Sequence, residues 1–298
     1  MSDLLSKTRE ICRLFEIKPS RSKGQNFLIN ERIYDDIIRA ADLQADDIVL
    51  EVGPGLGFLT AKLAHRAKRV IAVELDDRLA DYLQTGIDSQ DINNVTVVNE
   101  DILRFNPAAY SDDFGATGAF SGTNGLYKIV ANLPYNISSI FLRRFLGRKD
   151  FQPKELILML QQEVAERIVA SPPDMSLLAV SVQYYGEPEI IRTVKAGNFW
   201  PEPQVDSAIV RIKVKMKPDI DNGSDLIARD KRFFQLLRIG FSSKRKMLKN
   251  NLAAGLKLEP SALSRELNGQ GLDPQARAEA LSLQDWQKLF AALEPFML

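Results

Sequence analysis

The feature that most constrains this chain is the run IVLEVGPGLGFLT, from Ile48 to Thr60, in which an apolar stretch of strand length runs straight into glycines at 53, 55 and 57. A nearly continuous apolar strand is one buried on both faces, the habit of parallel sheets. Glycines just beyond its carboxyl end let the backbone approach a ligand at the start of the next helix. The spacing around this run repeats the theme. A helix is predicted over Glu31 to Ala41, with Ile33, Ile37 and Ile38 on one side, and another over Leu59 to Ala67. Strands are predicted at Val70 to Val73, at Val95 to Val98, and in the runs KIVAN and ELILML. Strands alternating with helices give a parallel sheet covered on both faces, an α/β Rossmann-like fold. Leu177 to Tyr185 and the alternating VRIKVKMK, Val210 to Lys217, read as later strands. From about Asp225 the pattern turns helical. We therefore expect residues 1–218 to form the α/β domain behind a basic leader and residues 219–298 a small all-helical domain, with a hinge at Asp219 to Ser224. Ser111 to Gly125, rich in glycine and serine, reads as an inserted loop.

Composition closes several routes. One cysteine, Cys12, and one histidine, His65, leave no material for a disulfide framework, a cysteine metal cluster or a histidine triad, so no metal is expected. The first residues carry scattered charge and no apolar core of a secretory signal, and no apolar run reaches membrane-spanning length; a cytoplasmic protein without a membrane partner is expected. Acids and bases balance at 39 each, but the signs are segregated. Glu74 to Asp113 holds ten acids against Arg78 and Arg104, whereas Arg238 to Lys257 holds six bases and no acid. Residues 7 to 23 add six bases against Glu10 and Glu16. A basic face for nucleic acid is compatible with zero net charge when the signs are separated in this way.

The glycine turn departs from the dinucleotide fingerprint, whose last glycine would fall at Phe58. That favours a nucleoside cofactor without a pyrophosphate. Glu74 closes the second strand, where a carboxylate can accept from both ribose hydroxyls. Asp101, after the third strand, is positioned to accept from an adenine amine, with Ile102 against the ring. Each acid alone also fits a helix cap, but the order glycines, Glu74, Asp101 points to S-adenosyl-L-methionine. At the end of KIVAN stand Asn132, Leu133, Pro134 and Tyr135. An exocyclic amine on a base is a poor nucleophile because its lone pair is delocalised into the ring. The Asn132 side-chain oxygen and the Leu133 or Pro134 carbonyl can accept the amine hydrogens, while the Tyr135 ring stacks on the base. Such a site works by alignment and electrostatics and needs no histidine. Gln25, Asn26 and Leu28, in the leader, are assigned to the cofactor. Phe199 fits either a second aromatic face for the base or a loop anchor. Lys244, Arg245, Lys246 and Lys249 suit phosphate contact.

These residues closely resemble the KsgA family of ribosomal RNA adenine dimethyltransferases. The likeness rests on KGQNFL (Lys23 to Leu28), LEVGPGLGFLT (Leu50 to Thr60), VELD (Val73 to Asp76), NLPYNIS (Asn132 to Ser138) and FWPEPQVDSA (Phe199 to Ala208). FSSKRKMLKNNL (Phe241 to Leu252) and LSLQDW (Leu281 to Trp286) extend it over nearly the whole chain. The resemblance implies a seven-stranded methyltransferase domain with a small C-terminal helical domain. It also implies dimethylation of two adjacent adenines in a hairpin near the 3′ end of small-subunit ribosomal RNA during subunit maturation, by a monomer acting on the immature small subunit. It assigns Gly53, Gly55, Glu74 and Asp101 to the cofactor, and Asn132, Pro134 and Tyr135, with Phe199, to the target. Asn30 stands where the family commonly has aspartate, Gln162 where it has lysine, and Glu100 where it has glycine, which adds a negative charge beside the adenine pocket. The competing readings are a large-subunit adenine dimethyltransferase of the macrolide-resistance type, disfavoured by FSSKRKMLKNNL and LSLQDW, and a non-catalytic assembly factor, disfavoured by intact Glu74, Asn132 and Tyr135.

Overall fold

The computed structural model describes residues 3–20, 24–110, 127–147, 152–215 and 223–297. Lys23, the insertion at Ser111 to Gly125 and the expected hinge lie outside them, except that Gly223 and Ser224 open a helix. In chain order the elements are α1 (Leu4–Leu14), β1 (Phe27–Leu28), α2 (Glu31–Ala41), β2 (Ile48–Val52), α3 (Phe58–Ala64), β3 (Arg69–Glu74), α4 (Asp77–Ser89) and β4 (Val95–Asn99). There follow β5 (Tyr127–Asn132), α5 (Ser138–Gly147), β6 (Glu155–Gln161), α6 (Gln162–Ile168), α7 (Leu177–Tyr185), β7 (Gly186–Val194), β8 (Phe199–Trp200) and β9 (Ser207–Val214). The chain ends in α8 (Gly223–Gly240), α9 (Leu248–Leu256), α10 (Pro260–Gly269) and α11 (Leu283–Leu293).

One seven-stranded sheet runs in the order β4-β3-β2-β5-β6-β9-β7. β4, β3, β2, β5 and β6 are parallel, and β9 lies antiparallel between β6 and β7. This is the seven-stranded Rossmann-like arrangement that the resemblance implied. Register sets the working edge: Val52 lies opposite Val73 on one side and Ala131 on the other, and Glu74 lies opposite Asn99. The carboxyl ends of β2, β3, β4 and β5 therefore finish side by side. All five residues of β2 are buried, as a central parallel strand requires. α2 buries Ile33, Ile37 and Ile38 and is capped by Asn30, whose side chain accepts from the Arg32 N–H. The same side chain donates to Asn198 Oδ1 at 2.7 Å, which an aspartate there would not do.

The amino edge of the sheet is fixed by a buried lysine. Lys128 Nζ donates to the carbonyls of Ala41 and Asp42 at 2.8 and 2.9 Å and pairs with Asp47 at 2.9 Å, with Glu155 at 3.9 Å. It thereby joins the end of α2, where Asp42 turns left-handed (φ 41°), to the start of β5. A cation this buried is held because every proton it carries has an acceptor.

Two expectations are corrected. Leu177 to Tyr185 is a helix, not a strand: a uniformly apolar run carries no period to separate the two, and packing against α8 and α11 decides it. The Ser176 hydroxyl accepts from the Ala179 N–H at 3.1 Å and caps the helix. Gly186 to Val194, which the sequence reading left without an element, is the edge strand β7. The leader, read only as basic, contains α1, with Leu4, Thr8, Ile11 and Cys12 buried at helical spacing. The chain forms two compact units, residues 1–165 with 186–216 and residues 166–185 with 217–298, so α7 belongs to the second unit although it precedes position 218. Phe233, Leu236, Leu237, Leu248, Leu252, Trp286 and Leu289 form the core of that unit. α11 opens with a reciprocal capping box between Ser282 and Asp285. No described helix is long and apolar enough to cross a membrane.

Lys128→Ala strips the Ala41 and Asp42 carbonyls of their donor and leaves Asp47 with the Gln44 N–H and the more distant Lys154, and is expected to destabilise the sheet-containing unit by about 2–3 kcal/mol, read as a lowered denaturation midpoint in urea.

Candidate active site

At the carboxyl edge a cavity of about 240 Å³ opens between the glycine turn, the ends of β3 and β4, the Asn132 turn and the leader. Gly53, Gly55 and Gly57 have φ of 66°, 57° and 77°, a backbone that side chains rarely adopt, so the turn needs its glycines. A Cβ at Gly57 would meet Leu83 at 2.6 Å, whereas a Cβ at Gly53 meets only the Asn132 carbonyl, at 3.9 Å. The first glycine thus keeps open the space into which a ligand must come.

Glu74 ties this turn to the next strand. Its Oε2 accepts from the Gly55 N–H at 3.1 Å and its Oε1 from the Asp76 N–H at 2.9 Å. Burial pushes its carboxyl above the usual range, and these amides oppose the shift. Asp101 Oδ1 accepts from the Leu103 N–H at 2.9 Å, and Ile102 lies buried beside it. Asn132 is held by the leader: its Nδ2 donates to the Asn26 carbonyl at 3.3 Å, which leaves Oδ1 as the acceptor of that amide. Gly24, with φ 64°, lies against Pro134 so closely that a Cβ would stand 3.0 Å from Pro134 Cβ.

Of the residues expected at the site, Gln25, Asn26, Leu28, Gly53, Gly55, Glu74, Asp101, Ile102, Asn132 and Pro134 line the cavity. Gln25 has a structural task besides: its Oε1 accepts from the Ser20 N–H at 2.7 Å and its Nε2 donates to Asp76 at 3.3 Å, fastening the leader to the cap of α4. Leu133 and Tyr135 flank the cavity without lining it. Leu133 is buried at the strand end, and the Tyr135 hydroxyl bonds to Ser207 Oγ at 2.8 Å. Phe199 is not brought to the cavity; it lies 3% exposed in the core with Leu28 and Tyr34, and pairs with Leu28 across β1 and β8. Lys244, Arg245 and Lys246 are exposed on the turn before α9 in the second unit, with Lys249 half-buried in that helix. Glu100 lines the cavity, as its place beside Asp101 predicts.

Sequence reasoning missed Glu51. It sits on β2 one residue before the strand's end, is 1% exposed, lines the cavity, and its two oxygens have no hydrogen-bond partner among the described residues. Burial first, and the Glu74 charge in addition, raise its carboxyl to about 8; the Thr60 hydroxyl lowers it somewhat without reaching hydrogen-bonding geometry. A carboxylate inside an otherwise apolar strand, IVLEV, was the available signal.

The lining fits S-adenosylmethionine. It carries Glu51, Glu74, Glu100 and Asp101 and, among the described residues, no lysine or arginine. Such a cavity attracts a sulfonium and an ammonium and repels a pyrophosphate. Among the described residues no group of three or more His, Cys, Asp or Glu side chains is placed to hold a metal ion.

A family model described as ribosomal RNA adenine dimethylase matches residues 17–294. A ribosomal RNA small subunit methyltransferase A from Dehalococcoides mccartyi is 41% identical over 96% of this chain and 92% of its own length. The protein of the same name from Pelotomaculum thermopropionicum is 40% identical over 94% and 93%. Among solved structures, a dimethyladenosine transferase from Plasmodium falciparum superposes with a TM-score of 0.73 at 27% identity, covering 91% of this chain and 98% of that one. The 23S rRNA methyltransferase ErmE superposes with a TM-score of 0.69 at 26% identity, covering 90% and 100%.

Glu51 yields a signed expectation. With its folded value near 8 and the ordinary value at 4.5, the folded chain binds the extra proton between those pH values, so its burial costs little below pH 4.5 and most above pH 8. Glu51→Gln should therefore raise Tm by a few degrees at about pH 8.5 and leave it nearly unchanged near pH 4.5, while weakening S-adenosylmethionine binding in calorimetry.

Proposed function

The chain belongs to the ribosomal RNA adenine dimethylase family, and from that premise we propose that it dimethylates the N6 amines of two adjacent adenosines in the 3′-terminal hairpin of small-subunit ribosomal RNA as that subunit matures. The observation that carries this reading is the pairing of an acidic, cation-seeking cavity with an Asn132 side chain on its lining, whose amide nitrogen is engaged by the Asn26 carbonyl and whose oxygen is therefore kept as an acceptor. The 41% identity to a small-subunit enzyme, against 26% to a 23S enzyme, favours the small subunit as substrate. We place the work in the cytoplasm, on the immature particle, by a monomer.

When bound, S-adenosylmethionine supplies an electrophilic methyl group on a sulfonium. Glu74, its carboxylate fixed by two backbone amides, holds the ribose hydroxyls through its remaining lone pairs. Asp101, with Oδ1 engaged by Leu103, offers Oδ2 to the adenine amine, and Ile102 supports the ring. Glu51, buried on the cavity wall, would face the positive charge that the cofactor brings, and that charge would favour its ionised form.

At the target, Asn132 Oδ1 accepts one hydrogen of the N6 amine. The Pro134 carbonyl already accepts from the Ile137 N–H at 3.2 Å and the Ser138 hydroxyl at 3.5 Å, so the Leu133 carbonyl is the better second acceptor. Two acceptors on one amine draw its hydrogens out of the plane that conjugation requires and localise the lone pair toward the methyl group. Tyr135 holds the base by its ring face, and the exposed Lys244, Arg245 and Lys246 hold phosphates.

Labelled methyl transfer to small subunits lacking the modification, beside large subunits and bare RNA, tests the reading: N6,N6-dimethyladenosine at adjacent adenines in the small-subunit sample alone is expected, and transfer to large subunits instead would overturn it. Asn132→Ala should lower the single-turnover rate about 100-fold with cofactor affinity nearly kept. Lys244→Ala with Arg245→Ala should weaken RNA binding and reduce the slope of log affinity against log salt by about 1.5; an unchanged slope would reject the phosphate contact.

A further inference from the structure

Tyr135 occupies the turn between β5 and α5, yet its hydroxyl reaches past β6 to β9, where it shares a hydrogen bond of 2.8 Å with Ser207 Oγ, 72 residues away in sequence. Ser207 is completely buried and opens β9, opposite Gln161 of β6 and Val194 of β7. The preceding residue fixes the same point from both sides. Asp206 accepts from the Ala196 N–H at 3.0 Å and from Lys195 Nζ at 2.8 Å, and its carbonyl accepts from the Gln162 N–H at 2.9 Å. Ser207 Oγ is thus a hydroxyl with almost no freedom to move, placed at the far end of a ring that is itself only half-buried.

A ring that stacks on a base must stand at one place. Backbone alone leaves rotation about the Cα–Cβ and Cβ–Cγ bonds, and the broad Cβ–Cγ torsion of an aromatic side chain does little to fix the plane. The phenol oxygen lies on the Cβ–Cγ axis, so a bond from it to a fixed partner removes the swing about Cα–Cβ and sets where the ring stands, while its spin about Cβ–Cγ is left to the base that stacks on it. We propose that Ser207 is a positioning residue for methyl transfer, holding the Tyr135 ring, through the bond between the two hydroxyls, at the place against which the target adenine is seated. This rests on the assignment of Tyr135 to the target base. It also accounts for a tyrosine at this position, because a phenylalanine would stack equally well but would not be tethered.

The test uses the full chain with two substrates: small subunits lacking the modification, for the single-turnover rate, and a hairpin RNA carrying 2-aminopurine at the target position, whose fluorescence is quenched when the base stacks on an aromatic ring. Ser207→Ala and Tyr135→Phe are each expected to lower the single-turnover rate on saturating small subunits about 5- to 20-fold, and to weaken the quench in the hairpin, with RNA and cofactor affinities within about 2-fold of the parent. The double variant should be no slower than the slower single one, since both remove one bond. Ser207→Thr, which keeps a hydroxyl, should recover most of the loss. A Ser207→Ala protein with parental rate and quench, or a double variant whose losses multiply, would overturn the proposal. A parent that quenches 2-aminopurine but transfers no methyl group would sink the methylation reading and leave the tether to be judged by the quench. A parent that shows neither would sink both.

Discussion

Two carboxylates buried on neighbouring strands, with no basic residue among the described residues that line the cavity around them, are the constraint on which the rest of the site depends. Parallel register puts Glu51 near the end of β2 and Glu74 at the end of β3. Water cannot pay the cost of both charges at that depth, so the fold treats them differently. Glu74 is given backbone amides from the glycine turn and from the entry to α4, and in return it holds those two segments together. Glu51 has no hydrogen-bond partner among the described residues, and burial raises its carboxyl to about 8. The cavity is therefore charged on one wall and held in reserve on the other, and a ligand bearing sulfonium and ammonium groups is the kind of molecule that satisfies both.

The target side depends on a different convergence. Three successive leader residues each grip a separate part of the site: Gly24 lies against Pro134, Gln25 reaches Asp76, and the Asn26 carbonyl orients Asn132. The segment before α2 is thus the piece against which the Asn132 turn is set. Its residue types follow from that role, since only a residue tolerant of positive φ and without a Cβ fits so close to Pro134.

This division explains what was legible in the sequence. The strands, the glycine turn, Glu74, Asp101 and the Asn132 motif could be read because each depends on local pattern and on position at a strand end, and parallel architecture turns strand ends into neighbours. The contacts that depend on which face a side chain takes were not legible. Phe199 packs inward because β8 pairs with β1, an encounter of residues far apart in the chain. Gln25 is engaged by Ser20 and Asp76 at both ends of its amide, which residue type alone could not show. Glu51 was passed over because strand periodicity cannot distinguish a carboxylate facing a cavity from one tolerated at an edge. The helix α7 was misread because every residue type in LLAVSVQYY suits a buried strand as well as a buried helix.

The same separation of scales resolves the neutral net charge. Four acids line the cavity that fits a small cation, and the bases from Arg238 to Lys257 lie in the other unit with no acid among them, so their sum says little about either. In the helical unit the basic turn is shaped from within. The buried Asn251 donates to the Gly240 and Ser243 carbonyls at 2.7 and 3.0 Å, Phe241 stacks on Trp286 with ring centroids 5.3 Å apart, and a Cβ at Gly240 would stand 2.3 Å from that indole. With its carbonyls and aromatic residue turned inward, the turn leaves Lys244, Arg245 and Lys246 in solvent. The two stretches that set the small-subunit resemblance apart, FSSKRKMLKNNL and LSLQDW, are thus one physical object, a basic turn and the tryptophan that holds its shape.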